Sequence, residues 1–320
     1  MDKGIMQIFS DHIVISDEVQ TALHKQRPVV ALESTVIAHG LPYPHNVTVA
    51  QAMEATIRLE DVVPATIGIV NGKIVIGLAQ DEITRLGTAP FVQKVSRRDL
   101  AVTLATRQLG ATTVAGTMLC ASMVGIRFFA TGGIGGVHRG AETSMDISAD
   151  LIELSNTPVL VACAGAKSIL DLDLTLEYLE THGVPVLGWQ TDELPAFYVR
   201  HSGRRLAHRV DNVAIIAETA RIQWECGLNG IVVGCPIPEQ YAMDPTLLEH
   251  ATAEALLLAQ TQGVRGAATT PFILSHVAKV TAGESVEANK ALLLNNARWT
   301  ARFAKAYYDS SEEHIDFLRK

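Results

Sequence analysis

The sequence has few cysteines, few aromatic residues and few charged residues. It contains 4 cysteines among 320 residues, and none of them forms a CxxC pair. A chain of this length buries enough apolar surface to fold without disulfides, so each cysteine is expected to be buried and reduced. Aromatic residues make up 5% and charged residues 19% of the chain, whereas hydrophobic residues make up 48%. This composition excludes a disordered chain and favours a large core.

The sequence also lacks a basic excess and a long apolar run. Its net charge is −8, from 26 basic and 34 acidic residues, which disfavours nucleic acid or an anionic membrane as partner. No uncharged apolar run approaches the roughly 20 residues that span a bilayer, and the N-terminal segment does not read as a signal peptide. We therefore expect a cytoplasmic protein with a small-molecule substrate. A phosphate ligand remains possible, because it needs only a local positive pocket.

Apolar runs alternate with helix signals along the chain. They predict strands at 28–33, 64–70, 127–131, 158–164, 184–188 and 229–234. The β-rich runs on either side of Asn71-Gly72 predict a two-residue type I′ hairpin, which makes the sheet mixed rather than wholly parallel. We expect a three-layer α/β/α domain with a central mixed sheet over residues 1–320. Residues 1–27 and 301–320 are expected to form helical terminal arms.

Helix starts are predicted where a capping residue precedes an apolar run. The capping-box spacing occurs in three pairs: Ser96 with Asp99, Thr143 with Asp146, and Ser168 with Asp171. The first pair is expected to open a helix that stops at Gly110, and the last pair a helix that ends near Gly183. Asn46 is expected to cap a helix running to about Glu60, and a last long helix is expected over about 285–307.

Two ionisable residues follow apolar strands at positions that suit catalysis. Lys167 comes after PVLVACAGA, where a strand leads into a helix start and desolvation favours the neutral, nucleophilic amine. Glu33 ends PVVALE, at the edge of an α/β sheet where ligands bind, and a partly apolar pocket there suits a general acid. From position alone, Lys167 could equally be a structural lysine paired with Asp171, and Glu33 is more often a polar strand end facing water.

Two segments have features of anion sites. The segment TGGIGGVHRGAETSMDISAD, residues 131–150, contains glycines that let backbone amides approach a ligand, and His138 and Arg139 add donors. A tight turn is the alternative reading, because the glycine spacing matches no nucleotide-binding motif. Lys94 precedes a helix start with two arginines beside it, which suits an anion site or an exposed basic cluster.

An acidic series and a proline-containing loop are the remaining candidate functional segments. Glu142, Asp146 and Asp150 are spaced by four residues and would share one face of a helix. Such oxygen ligands suit Mg²⁺ or Mn²⁺, although capping for Asp146 and solvation for Asp150 are the alternatives. The loop HGLPYPHN, residues 39–46, is rigid enough to form the wall of a pocket, and a surface turn is the other interpretation.

Taken together, these segments resemble the pseudouridine-5′-phosphate glycosidases, also called the indigoidine synthase A-like family. The matching stretches lie within residues 28 to 300 and include ALESTVIAHGLPYPHNV, KVSRRDL, GATTVAGTM, TGGIGGVHRGAETSMDISADL, CAGAKSILDLDL and ESVEANKALLLNNA. The resemblance implies reversible cleavage of the C–C glycosidic bond of pseudouridine 5′-phosphate, which gives uracil and ribose 5-phosphate through a lysine Schiff base. It also implies one Mn²⁺ per subunit and a homotrimer.

The resemblance also carries functional residues onto this chain. It makes Lys167, in CAGAKS, the nucleophile, and Glu33, in ALEST, the proton donor. It makes Asp146, in DISAD, the metal-binding residue. The substrate-binding residues that it implies are Lys94, Val114, Thr131, His138, Ser148, Ala149, Asp150 and Asn289.

Two other functions fit parts of the same pattern. A different Schiff-base enzyme, such as an aldolase-like lyase on another sugar phosphate, would use the same lysines and glycine-rich segment. A non-catalytic sugar-phosphate sensor would need a lost nucleophile or acid, and both are present. A modified substrate within the same C–C cleavage chemistry is a further variant. Release of uracil distinguishes the glycosidase from these alternatives.

Overall fold

The structure is a computed structural model that describes residues 11–167, 169–264 and 269–318. Helices and strands alternate along these residues, and a large mixed sheet of mostly parallel strands lies at the centre. The α/β fold class predicted from the sequence is thereby confirmed. No helix of the described part is both long and apolar enough to cross a membrane.

The elements are numbered in chain order within the described residues. The strands are β1 Ile13–Ile15, β2 Val29–Glu33, β3 Val63–Val70, β4 Lys73–Ile76, β5 Gln93–Val95, β6 Gly110–Thr112, β7 Phe128–Ala130, β8 Val137–His138, β9 Leu160–Cys163, β10 Leu170–Asp171, β11 Val186–Trp189, β12 His208–Val210 and β13 Ile231–Gly234. The α-helices are α1 Asp17–His24, α2 His45–Arg58, α3 Gln80–Thr88, α4 Leu100–Ala105, α5 Val114–Met123, α6 Ala141–Ser144, α7 Ala149–Asn156, α8 Leu172–Thr181, α9 Val213–Glu225, α10 Pro245–Thr261, α11 Thr269–Val280 and α12 Glu284–Leu318. A π-helix covers Val36–Gly40, and 3₁₀ turns cover Arg97–Asp99 and Glu239–Tyr241.

The main sheet has 11 strands, and its central path runs β1-β4-β3-β2-β7-β9-β13-β11-β12. From β3 to β12 along this path, every neighbouring pair is parallel. The carboxyl ends of β2, β7, β9 and β13 therefore meet at one edge, which is where ligands bind in open α/β sheets. We name this the carboxyl edge, defined by Glu33, Thr131, the segment 164–167 and Cys235.

The predicted hairpin is present and introduces the antiparallel part of the sheet. Strands β3 and β4 pair antiparallel with Val70 opposite Lys73. Asn71 and Gly72 have φ values of 52° and 77°, and a type I′ turn requires positive φ at both central residues. Strand β6 pairs antiparallel with β3 just beyond the end of β2, and β5 pairs with β6. This branch brings the predicted anion-binding Lys94 toward the carboxyl edge.

Asn46 is not the helix cap that its position in the sequence predicts. The residue lies in the first turn of α2, and Pro44 occupies the N-cap position. Its side-chain amide instead donates to the carbonyl oxygens of Ile37, at 2.7 Å, and Gly87, at 3.0 Å. Asn46 therefore fastens the π-helix to α2 and α3, and the helix begins before the predicted cap, at His45.

The capping box of Ser96 and Asp99 is present, but the helix that it opens is shorter than predicted. A 3₁₀ turn and α4 follow, and α4 ends at Ala105 rather than at Gly110. Arg107 has a φ of 54°, so the chain turns out of the helix there. Gly110 instead begins β6, because this segment is needed to pair with β3.

The acidic series does not share one helical face. Glu142 lies in α6, Asp150 lies in α7, and Asp146 lies between these helices. Met145 adopts the left-handed conformation, with a φ of 55°, and ends α6 before Asp146. The predicted capping box at Asp146 is therefore also wrong, because Thr143 lies inside α6.

The remaining predictions concern the helix ends and the cysteines. Ser168 lies outside the described residues, and Asp171 caps α8 by accepting a hydrogen bond from the N–H of Leu174. The predicted N-terminal arm also contributes strand β1, and the residues from 301 to 318 continue α12. Cys226 is exposed, against the expectation for all cysteines, because it lies in the turn that ends α9.

Candidate active site

Glu33 lies at the end of β2 with 6% of its surface exposed. The hydroxyl groups of Thr35 and Thr131 each donate to one oxygen of its carboxylate. Thr131 follows β7, which pairs directly with β2, so the parallel sheet places this threonine next to the carboxylate. Glu33 is therefore held in a fixed orientation at the carboxyl edge.

Ser34 joins the three strands around this carboxylate. Its hydroxyl donates to the carbonyl oxygen of Ile67, at 2.6 Å, and accepts a hydrogen bond from the N–H of Thr112, at 2.9 Å. Ile67 belongs to β3 and Thr112 to β6, and Lys94 of β5 pairs with Ala111 of β6. The Ser34 hydroxyl therefore fixes the branch that carries Lys94 relative to Glu33.

Lys94 shares its surroundings with three other charged groups. Burial lowers the pKa of its amine, and the positive charge of Lys167 lowers it further. The negative charges of Asp150 and Glu33 act in the opposite direction on the same pKa. Lys167, Asp150 and Glu33 therefore lie near enough to Lys94 for their charges to act on its amine.

Lys167 follows β9, and the segment that connects them contains a position that only glycine can occupy. Gly165 has a φ of +85°, and a Cβ atom there would clash with the carbonyl oxygen of Pro195. The Lys167 N–H donates to the carbonyl oxygen of Ile134, at 3.1 Å, so this segment runs beside the glycine-rich loop. Asp171 caps α8 instead of pairing with Lys167, and no ion pair to this lysine occurs in the described part of the chain.

Asp150 ties the glycine-rich loop to two helices. It is buried, and its carboxylate accepts from the N–H of Ala115, at 2.9 Å, and from the N–H of Gly135, at 2.8 Å. Ala115 lies in the first turn of α5, and Asp150 itself lies in the first turn of α7. The carboxylate thus complements the positive ends of both helices and fixes the loop 132–136 against them.

The starts of α5 and α7 leave two backbone N–H groups unused. Thr113 caps α5 and Ser148 caps α7 with their side chains. The N–H groups of Val114 and Ala149 have no acceptor in the part of the protein that the structure describes. The first-turn N–H groups of helices bind anions readily, so both residues are suited to contact a phosphate.

Asn289 contacts a tyrosine that the sequence did not single out. Asn289 is 8% exposed, and its amide donates to the hydroxyl oxygen of Tyr198, at 3.3 Å. Burial raises the pKa of Tyr198, so this hydroxyl stays protonated. The preceding Phe197 packs against Gly133, where a Cβ atom would lie 2.7 Å from its ring. The loop around Tyr198 therefore connects Asn289 with the glycine-rich loop.

His138 and Asp146 are joined to each other through the backbone. His138 is half-buried in β8, opposite Leu170 of β10, and its N–H donates to the backbone carbonyl of Asp146, at 3.0 Å. The Asp146 side chain is exposed. No group of at least three acidic, histidine or cysteine side chains that could hold a metal is present among the described residues.

His39 is a second residue that sequence reasoning passed over. It lies in the π-helix that follows Glu33, and its Nε2 atom is buried without a partner in the described chain. Burial and the charge of Lys94 lower the pKa of its imidazole. The sequence predicts that residues 39–46 form the wall of a pocket, but only the folded chain shows that the charge of Lys94 acts on His39. Arg97, one of the two arginines beside Lys94 in the sequence, forms an ion pair with buried Glu153 at 2.7 Å.

Comparison with known proteins identifies relatives over nearly the whole chain. Residues 18–306 match the family model of the indigoidine synthase A like proteins. A pseudouridine-5′-phosphate glycosidase of Geobacillus kaustophilus is 54% identical over 297 residues, which are 92% of this chain and 99% of that protein. The pseudouridine-5′-phosphate glycosidase of Escherichia coli is 52% identical over 304 residues, which are 94% and 97% of the two chains.

Solved structures agree with these relatives. The prealnumycin C-glycosynthase AlnA, in complex with ribulose 5-phosphate, has a TM-score of 0.88 and 41% identity, and the match covers 95% of this chain and 99% of AlnA. An indigoidine synthase A-like protein of Thermotoga maritima has a TM-score of 0.85 and 33% identity, with 93% and 97% coverage. The family resemblance predicted from the motifs is confirmed. The chain belongs to the indigoidine synthase A-like family.

Proposed function

We propose that this chain cleaves the C–C glycosidic bond of pseudouridine 5′-phosphate reversibly, giving uracil and ribose 5-phosphate through a Schiff base on Lys167. The observation that supports the proposal is the position of Glu33 at the end of β2 and of Lys167 just after β9, with only the parallel strand β7 between these two strands. A nucleophilic amine and a carboxylic acid are the two groups that this reaction needs. The names of the relatives, which include glycosidases and a C-glycosynthase, support the same type of bond.

The chemistry divides between the amine and the acid. The Lys167 amine, in its neutral form, bonds to C1′ of the sugar while the ribose ring opens. Glu33 then delivers a proton to C5 of the base, and the C1′–C5 bond breaks with its electrons going to the uracil ring. The nitrogen lone pair of Lys167 forms the C1′=N bond at the same time, and water hydrolyses this imine to free ribose 5-phosphate and the amine.

The phosphate end of the substrate supplies binding energy away from the reacting carbon. We assign it to the backbone N–H groups of Val114 and Ala149, which lie in the first turns of α5 and α7. Lys94 adds a positive charge nearby, and Ser148 holds the start of α7. Thr131, His138, Asp150 and Asn289 complete the proposed substrate site around this anchor.

We also propose that Asp146 binds Mn²⁺ and that the protein is a homotrimer. A single exposed carboxylate fits a cation of this kind, because Mg²⁺ and Mn²⁺ keep several of their waters. Asp146 would hold the ion, and the waters around it would fill the remaining positions. The bound ion would supply positive charge beside the substrate oxygens.

One experiment tests the reaction and the nucleophile together. Purified protein is incubated with pseudouridine 5′-phosphate and Mn²⁺, uracil is followed by chromatography, and a portion is quenched with borohydride for peptide mapping. We expect uracil release and a reduced ribose-phosphate adduct on Lys167. Both should disappear in Lys167→Met, whereas Lys305→Met, an exposed lysine on α12, should behave like the wild type.

The other outcomes separate the competing functions. An adduct on Lys167 formed with ribose 5-phosphate, but no uracil release, would indicate a Schiff-base enzyme acting on another sugar phosphate. Folded protein that releases no uracil and forms no adduct would contradict the proposal altogether. Repeating the assay after metal removal, with Asp146→Asn beside it, tests whether activity needs the ion.

A further inference from the structure

A buried asparagine on α12 is connected to the proposed acid through Thr131. Asn296 is 0% exposed, and its Nδ2 atom donates to the carbonyl oxygens of Thr131, at 2.8 Å, and Gly132, at 3.4 Å. Because both carbonyl oxygens can only accept hydrogen bonds, the NH₂ end of the Asn296 amide must face them. The other end, Oδ1, is buried and has no partner in the described part of the chain.

Packing alone does not explain this residue. Its neighbours on α12 include buried Leu292, Leu293 and Ala297, so the surroundings would accept a leucine of similar size. A leucine would avoid the cost of the unpaired Oδ1, but it would leave the Thr131 carbonyl oxygen without the hydrogen bond that Asn296 donates. The purpose of the amide is therefore to hold the Thr131 carbonyl rather than to fill space.

That purpose is visible at Thr131. The chain leaves the sheet here: the Thr131 N–H still donates to Ala162 of β9, but its carbonyl oxygen turns toward α12 and accepts from Asn296. With both peptide groups of Thr131 fixed, the position of its Cβ atom is fixed, and in the observed rotamer its hydroxyl donates to Glu33 Oε1.

We propose that Asn296 is a positioning residue, which orients the proton-donating Glu33 through the backbone and hydroxyl of Thr131. This inference rests on the proposed function of Glu33. It also explains why α12 carries two asparagines on the face that packs against the sheet. Asn289 and Asn296 are seven residues apart, and positions with this spacing lie on the same helix face. One rigid helix therefore fixes the acid through Asn296 and places Asn289 at the same edge of the sheet.

A double-mutant cycle tests the chain of contacts. The kinetics of uracil release are measured for the wild type, Asn296→Leu, Thr131→Val and the double variant. Each single substitution is expected to lower kcat by about tenfold, which corresponds to one lost hydrogen bond. The double variant is expected to have the kcat of the single variants, because both changes break the same connection. KM is expected to change less than kcat for Asn296→Leu.

Matched controls separate positioning from folding. The neighbouring Asn295 also donates its amide to a backbone carbonyl, that of Pro236 at 3.2 Å, so Asn295→Leu should leave kcat unchanged. If Asn296→Leu does not fold, Asn296→Asp keeps the shape and removes the two donated hydrogen bonds. Unchanged kcat in a folded Asn296 variant, or a double variant that loses the product of both single effects, would overturn the inference. A wild type without uracil release would instead overturn the proposed function, and this inference with it.

Discussion

At the scale of single residues, two half-buried basic side chains near the carboxyl edge are each affected by the charge of another lysine. The charge of Lys167 lowers the pKa of Lys94, and the charge of Lys94 lowers the pKa of His39. Burial penalises the charged form of both groups, and the like charge adds to that penalty. Perturbed titration of this kind is a common property of functional sites.

His39 gives a pH-dependent stability whose sign follows from its lowered pKa. Below its ordinary value of 6.5, the unfolded chain binds a proton that the folded chain resists. The free energy of unfolding should therefore fall as the pH drops from 6.5 toward the pKa of His39 in the folded chain, and it should recover when the pH is raised to 6.5 again. Urea unfolding across this range should show a smaller fall for His39→Gln. His24→Gln, at an exposed position of α1, should keep the wild-type slope, and equal slopes in all three proteins would contradict the prediction.

The predicted site residues differ in how far the sequence could place them. Glu33 and Lys167 were predicted because each ends or follows an apolar strand, and the fold places both at the carboxyl edge. Lys94 was predicted because it precedes a helix start, and the charges of Glu33 and Lys167 act on it in the folded chain. Their proposed roles remain predictions. Asn296 and Tyr198 were not predicted, because the groups that they contact lie far away in sequence and only the packing of α12 reveals them.

At the scale of elements, the long apolar runs were predictable and the short strands were not. Each predicted strand overlaps an observed one, since each contains consecutive apolar residues. Strands β5, β6, β8, β10 and β12 have two or three residues that include polar residues or glycine, so they show neither an apolar run nor a recognisable period. These strands form through tertiary pairing, as β6 does when it docks on β3 beyond β2.

The turn between β9 and Lys167 provides a prediction at this scale. Gly165 and Gly183 both have positive φ, +85° and +69°, but a Cβ atom clashes with Pro195 only at Gly165 and meets open space at Gly183. Gly183→Ala should therefore cost about 1 kcal/mol from backbone strain alone. Gly165→Ala should cost more than that and should also abolish activity, because it displaces Lys167. Urea unfolding and uracil release measure both effects, and equal losses of stability would show that the Pro195 contact is unimportant.

At the scale of the whole molecule, α12 holds the layers together. It packs on α2 and α9 and on the central strands β7 and β9. Phe303 of α12 is fully buried with its ring 5.1 Å from that of Trp189 in β11. Exposed ion pairs, such as Arg302 with Glu60, lie at the rim of the same contact. The helix was predicted from its composition over 285–307, but its role as the brace behind the site follows only from the packing.

These two kinds of contact should differ greatly in energy. Phe303→Ala should lower the free energy of unfolding by about 3–5 kcal/mol, because it removes a large ring from a closed core. Arg302→Met should lower it by less than about 1 kcal/mol, since its ion pair is screened by water. Urea unfolding at low and high salt measures both variants. A larger effect for Arg302→Met, or a salt dependence of the Phe303→Ala loss, would mean that charge rather than packing secures α12.

The ends of the central sheet have a consequence for behaviour at high concentration. Among the described residues, its path ends in two strands of only 3 residues each, β1 and β12. β12 also carries Arg209, which pairs with Asp192 and Asp211 beside the open edge. Two short margins, of which β12 is also charged, give another chain almost no row of free N–H and C=O groups to extend. Despite a core made of long apolar strands, the molecule is thereby protected from edge-to-edge aggregation.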